Sequence, residues 1–170
     1  SIFADIFAGT GVVGYLFAKK GYKTILNDTL YSNVVVYEAL LGQGELDFNK
    51  IEKTVNFFNG LDAKNISANY FSKIYGNKYF SEKDARKIGF IRDYIEDNKD
   101  KYTKREYYYL ISCLIYACDR IANTVGHFES FLKSEPKEHG VNLRLLEIPD
   151  GCIPADIYNL DANELSKKIK

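Results

Sequence analysis

The feature that most constrains this chain lies near its start. An apolar run, Ile2-Phe3-Ala4-Asp5-Ile6-Phe7, stops at Ala8-Gly9-Thr10-Gly11-Val12-Val13-Gly14. Gly9, Gly11 and Gly14 spell G-x-G-x-x-G. They fall between residues 2–7, which read as a buried strand, and residues 12–20, which read as a helix stopped by Gly21. A second strand is expected over 23–26, ending at Asn27-Asp28, and a second helix over 32–41, closed by Gly42. Strand, glycine turn, helix, strand, helix is the opening half of a doubly wound α/β sheet. In that setting glycine lets the backbone approach a ligand closely, and the helix N-terminus offers free N–H groups.

Two acidic residues give the turn a chemistry. Asp28, at the end of the second strand, is placed to accept hydrogen bonds from ribose hydroxyls. With the glycines alone this permits NAD, and a tight turn with no ligand is the plainer alternative. Asp5 shifts the balance. It sits in a run that is otherwise apolar, and a buried carboxylate is costly unless it is paired. A cationic ligand would give it a partner, and S-adenosylmethionine carries both a sulfonium and an amine.

Further along, the pattern becomes helical. A helix is expected over 47–58, with Ile51, Val55 and Phe58 on one face. Residues 59–79, rich in Asn, Ser, Gly and Tyr, read as irregular. Ser81-Glu82-Lys83-Asp84 and Thr103-Lys104-Arg105-Glu106 resemble capping boxes that open helices to about 96 and over 107–124. Residues 98–104 and 133–140 read as polar loops, 143–148 and 155–160 as strands, and 161–169 as a helix. The resulting organisation is a cofactor-binding α/β half at 1–58, a helical insertion at 59–140, and a return to the sheet at 141–170.

Composition removes several classes. The chain has 170 residues, 46% hydrophobic and 15% aromatic, too much apolar material for a disordered segment. Lys plus Arg and Asp plus Glu are both 23, so the chain is not basic throughout, although a local basic face is open to it. No apolar run reaches the ~18 residues of a membrane span. The three cysteines form no C-x-x-C pair, and His127 and His139 have no partner at ligand spacing, so no metal site is expected. Unpaired thiols fit a reduced, cytoplasmic protein. The chain has no Met and begins inside an apolar run, which reads as a fragment of a longer protein.

The motifs together carry a family likeness. Asp5-Ile6-Phe7-Ala8-Gly9-Thr10-Gly11 resembles the D-x-F-x-G-x-G signature of DNA amino-methyltransferases. Tyr158-Asn159-Leu160-Asp161-Ala162 is similar to the third-strand motif of the same enzymes. Ala122-Asn123-Thr124-Val125-Gly126-His127-Phe128, followed by Ser130 to Lys133, resembles a segment of the adenine-specific DNA methyltransferases related to Dam. The resemblance implies a Rossmann-like methyltransferase fold, present in part, with a helical insertion. It implies an S-adenosylmethionine site built from Asp5, Phe7, Ala8, Gly9, Thr10, Gly11 and Asp28, with Asp161 on the cofactor's adenine amine. Asn123, Gly126 and Phe128 would form a loop near cofactor or target base. The implied activity is methyl transfer to the exocyclic amine of adenine in double-stranded DNA, with base flipping, in a restriction–modification system beside a cognate endonuclease.

The family's D-P-P-Y motif is absent: Pro136, Pro149 and Pro154 do not fit it, so no catalytic residue can be named and the chain alone is expected not to turn over. A nicotinamide-dependent oxidoreductase half-domain and a non-catalytic nucleic-acid-binding module are the alternatives. Lys73, Lys78, Lys83, Arg86, Lys87 and Arg92 either touch phosphates or form a solvated face. Tyr107, Tyr108 and Tyr109 point in different directions round a helix, which favours packing, and Cys113 and Cys118 read as core thiols.

Overall fold

The computed structural model describes residues 1–126 and 130–169. They form two compact units. The first comprises 1–47, 102–112 and 146–170, and the second 48–101 and 113–145.

The first unit is built on three parallel strands, β1 (Ile2–Asp5), β2 (Lys23–Asn27) and β3 (Asp156–Tyr158), in the order β1-β2-β3. Phe3 pairs with Thr24 and Leu26 with Ile157 in register. Helix α1 (Val12–Lys19) connects β1 to β2, and α2 (Tyr31–Leu41) follows β2. The core is formed by Ala8, Ala18, Leu26, Val34, Tyr37, Leu41 and Ala155. Gly14 lets α1 lie close against β2: a Cβ there would stand 2.2 Å from Leu26 Cδ2.

Helix α6 (Lys104–Ile121) contributes its opening turns to this unit. The Thr103–Glu106 capping box is complete: the Glu106 N–H donates to Thr103 Oγ1 at 3.2 Å, and the Thr103 N–H donates to Glu106 Oε2 at 2.8 Å. The buried Glu106 carboxylate also accepts from the Asp47 N–H. Arg105 donates to the Ala39 and Leu40 carbonyls, two of the orphan carbonyls at the end of α2, and to the Gly44 carbonyl in the loop beyond it. The three consecutive tyrosines diverge as helical geometry requires. Tyr109 is fully buried, with its hydroxyl on the Leu146 backbone, while Tyr108 meets Tyr31 hydroxyl to hydroxyl at 3.0 Å.

The second unit contains α3 (Phe48–Asn59), α4 (Tyr70–Tyr75), α5 (Glu82–Asp97) and the remainder of α6. Helix α3 buries Ile51, Val55 and Phe58, and α5 buries Ile88, Ile91 and Ile95, the apolar stripes expected at i, i+3, i+4 and i+7. Phe58 and Tyr94 meet edge to face with centroids 5.4 Å apart. Ser81 caps α5, and the buried Asp84 accepts from the His139 and Gly140 N–H groups at 3.0 Å each, tying 139–140 to the start of that helix.

Several expectations are corrected. The strand expected over 2–7 ends at Asp5 and is an edge, not buried: Ile2 is 66% and Phe7 77% exposed. The chain leaves the sheet after Asp5, and the Ala8 N–H reaches the Asn27 carbonyl instead. Residues 143–148 form no strand. Side chains satisfy this backbone in place of a neighbouring strand: Asn59 receives the Leu143 N–H and donates to its carbonyl, and the Tyr109 hydroxyl does the same for Leu146. The strand expected over 155–160 contracts to β3, and the last helix to α7 (Ala162–Ser166). The segment 59–79 is not wholly irregular, because Asn69 and Ser72 form a capping box that starts α4. The basic stretch is largely engaged. Lys83 pairs with Glu138, Arg86 with Glu82 and Arg92 with Glu96, and the buried Lys87 donates to the Asn59 and Leu61 carbonyls.

Candidate functional site

In a parallel α/β sheet, ligands gather at the carboxyl ends of the strands. Here those ends bring together Asp5 from β1, Asn27 and Asp28 at the end of β2, and Tyr158 to Asp161 at the end of β3. The Asp5 side chain is half-buried and has no hydrogen-bond or ion-pair partner among the described residues. The cost expected for a fully buried, unpaired carboxylate is therefore only partly incurred, and the carboxylate remains available to a cation.

The glycine turn follows. Gly9 and Gly11 take φ values of +54° and +77°, the left-handed region that glycine enters freely. Gly11 is the N-cap of α1, so the unshared N–H groups of the first helical turn begin at this point. Ala8 is buried, Thr10 is exposed, and Phe7 projects into solvent. Asp28 grips the turn from β2. Its Oδ2 accepts from the Gly9 N–H at 2.8 Å and its Oδ1 from the Leu30 N–H at 2.8 Å. Each carboxylate oxygen can accept a further bond, so both retain capacity for ligand hydroxyls.

Sequence reasoning missed two residues here. Asn27 is 1% exposed, and its amide clamps the strand ends together. Its Nδ2 donates to the Ile6 carbonyl at 3.0 Å and the Leu160 carbonyl at 2.9 Å, and its Oδ1 accepts from the Leu160 N–H at 3.0 Å. Tyr37, 2% exposed on α2, donates its hydroxyl to the Gly9 carbonyl. Burial first, then the nearby Asp28 and Asp5 carboxylates, holds its pKa above the usual phenol range. One signal was legible: Asn27 is a polar side chain that follows the apolar pair Ile25-Leu26 at the strand's end.

The remaining predicted residues fall as follows. Asp161 is exposed and caps α7, its Oδ1 accepting from the Asn163 N–H at 2.8 Å. It adjoins Leu160, which Asn27 holds. Asn123 and Gly126 belong to the second unit. The Asn123 amide faces three carbonyls, those of Lys78, Leu132 and Ser134, so its hydrogen-bonding is directed to the backbone around it. Gly126 has φ +100°. Phe128 and His127 lie outside the described residues. Among the described residues no group of three or more His, Cys, Asp or Glu could hold a metal, and no helix is long and apolar enough to cross a membrane.

The model of the D12 class N6 adenine-specific DNA methyltransferases matches residues 1–170. The chain belongs to this family. Among the relatives of this chain, Modification methylase StsI of Streptococcus sanguinis is 34% identical over 99% of the chain and 28% of its own length. Type II methyltransferase M.NlaIII of Neisseria lactamica is 32% identical over 99% of the chain and 52% of its own length. Type II methyltransferase M.FokI of Planomicrobium okeanokoites is 30% identical over 99% of the chain and 28% of its own length. The chain thus spans between about a quarter and a half of these curated relatives. No solved structure gives a significant match. Membership in the D12 family places the glycine turn in a methyltransferase family, not a nicotinamide-dependent one.

Proposed function

We propose that this chain forms the S-adenosylmethionine pocket of an enzyme that methylates the exocyclic amine of adenine in double-stranded DNA. The enzyme would act in the cytoplasm as the modification arm of a restriction–modification system, opposite a cognate endonuclease. The observation that carries the reading is the unpartnered Asp5 carboxylate beside a glycine turn, at the carboxyl edge of a parallel sheet, in a D12 chain.

The residues present fit the cofactor. Asp5 offers an anion to its ammonium and sulfonium charges. The backbone of residues 8–11 gives close approach, and the free acceptor capacity of Asp28 suits the ribose hydroxyls. Asp161 retains an oxygen beyond its capping bond for the adenine amine. When bound, the cofactor supplies a methyl group already activated on sulfur. What these residues do is position it and exclude competing geometries, the main contribution a protein makes to such a transfer. The helical segment 59–140, including Asn123, Gly126 and Phe128, is proposed to face the DNA and the flipped base.

The test is transfer of labelled methyl from S-adenosylmethionine to bacterial DNA by the full-length protein, followed by nucleoside analysis. N6-methyladenine is expected. Methylcytosine, or no transfer together with tighter binding of NAD than of S-adenosylmethionine, would refute the reading. Asp28→Ala should raise the cofactor KM about tenfold or more, from the ~1.5–3 kcal/mol of a hydrogen bond to a charged group.

A further inference from the structure

The glycine turn is the part of the site with the most conformational freedom, because two of its residues lack a Cβ and sit at positive φ. A loop of that kind loses entropy when it orders around a ligand, and any prior restraint on it improves binding. The turn is restrained on both sides of one residue. The Gly9 N–H is held by the Asp28 carboxylate, and the Gly9 carbonyl is held by the Tyr37 hydroxyl. The Tyr37 ring also fills the space beneath Gly11: a Cβ on Gly11 would lie 2.7 Å from ring carbon Cε1 and 2.9 Å from Cδ1. Asp28 has a proposed ligand role of its own. Tyr37 is covered by protein, with its ring in the core and its hydroxyl on the turn.

We infer that Tyr37 is a positioning residue that sets the glycine turn in its cofactor-binding shape before the cofactor arrives. The inference rests on the proposed S-adenosylmethionine reading of the same site. The hydroxyl fixes the orientation of the Gly9–Thr10 peptide, and the ring supports the turn through Gly11. Burial and the carboxylates of Asp28 and Asp5 keep the phenol protonated, so it remains a donor across the working pH range.

The experiment uses Tyr37→Phe in the full-length protein, which keeps the ring and removes the hydroxyl. Three quantities are read: the Kd for S-adenosylhomocysteine by calorimetry, amide hydrogen exchange over residues 9–11, and Tm. Leu41→Ala, a core truncation in the same helix outside the site, serves as a destabilised control. We expect the Kd to rise three- to tenfold and exchange over 9–11 to quicken in Tyr37→Phe. Methyl transfer at saturating cofactor should stay close to the parent's rate, so that the loss appears in KM. Leu41→Ala should lower Tm at least as far and leave the Kd unchanged. A parental Kd in Tyr37→Phe, or an equal loss of binding in Leu41→Ala, overturns the inference while leaving the cofactor reading intact. A parent protein that binds neither S-adenosylmethionine nor S-adenosylhomocysteine overturns that reading and this inference together.

Discussion

Replacing Asn27 by Asp changes one NH₂ group into an oxygen and almost nothing in volume, yet it should be among the most damaging substitutions in the first unit. The buried amide donates to two carbonyls and accepts from one N–H. A carboxylate keeps the acceptance from Leu160 and loses both donations, leaving two carbonyl oxygens facing a negative charge. At ~1 kcal/mol for each lost bond, plus the desolvation of an unpaired charge, the variant should be about 3–4 kcal/mol less stable than the parent at pH 8. Burial and the adjoining Asp28 raise the folded-state pKa of the new carboxyl above its unfolded value of ~3.9. A native state that holds its proton more tightly than the unfolded state loses stability as pH rises through that window. Protonation also restores one donor. The gap between variant and parent should therefore narrow to about 1–2 kcal/mol by pH 5. Urea denaturation of both proteins from pH 5 to 8 measures it. A gap under 1 kcal/mol at pH 8, or one that widens as pH falls, would refute the clamp described for Asn27.

Gly14→Ala sets helix propensity, worth about 1 kcal/mol in its favour, against overpacking on Leu26, and should come out 1–2 kcal/mol destabilising in chemical denaturation, with Leu26→Ala partly relieving it. Thr24 Oγ1 is buried without a hydrogen bond, so Thr24→Val should raise stability by about 1 kcal/mol. Arg105→Ala frees two carbonyls at the end of α2 and one in the loop beyond it, and should cost about 2–3 kcal/mol, visible as a Tm loss of several degrees. Burial, helped by Asp119, pushes the Cys118 thiol up to about 12, so at pH 8 an alkylating reagent followed by mass spectrometry should label the half-buried Cys152 well before Cys118 or the buried Cys113.

What was legible in the sequence was local. The glycine turn, the stripe Ile51, Val55 and Phe58, and the box Thr103–Glu106 each involve residues within a few positions of one another, and helical or turn geometry fixes their meaning. The clamp was not legible, because Asn27 finds its partners 21 and 133 residues away. Tyr37 looks like any apolar helix position until its hydroxyl is seen to meet a carbonyl 28 residues back. The error at 143–148 had the same origin: Leu143 and Leu145 alternate as in a strand, but the backbone is satisfied by side chains 84 and 37 residues distant. Asp161 reads as a motif residue in sequence and also as a plain helix cap in structure, and the two roles do not conflict.

The clamp between Asn27 and Leu160 closes a span of 133 residues, which makes this sheet a late event in the life of the chain. Closing so long a flexible loop costs about 4 kcal/mol in chain entropy by the logarithmic rule, and non-local pairings of this kind slow folding. During synthesis at roughly 5–20 residues per second, β1, α1 and β2 emerge roughly 7–27 s before the strand that completes their edge. For that interval the Asn27 amide has no Leu160 to meet, and β2 presents an open row of backbone donors and acceptors to its surroundings. Folding of the intervening segment shortens the effective loop and brings β3 within reach. The order in which the ribosome releases the segments therefore bears directly on whether the young sheet pairs with its own third strand or with a neighbouring chain.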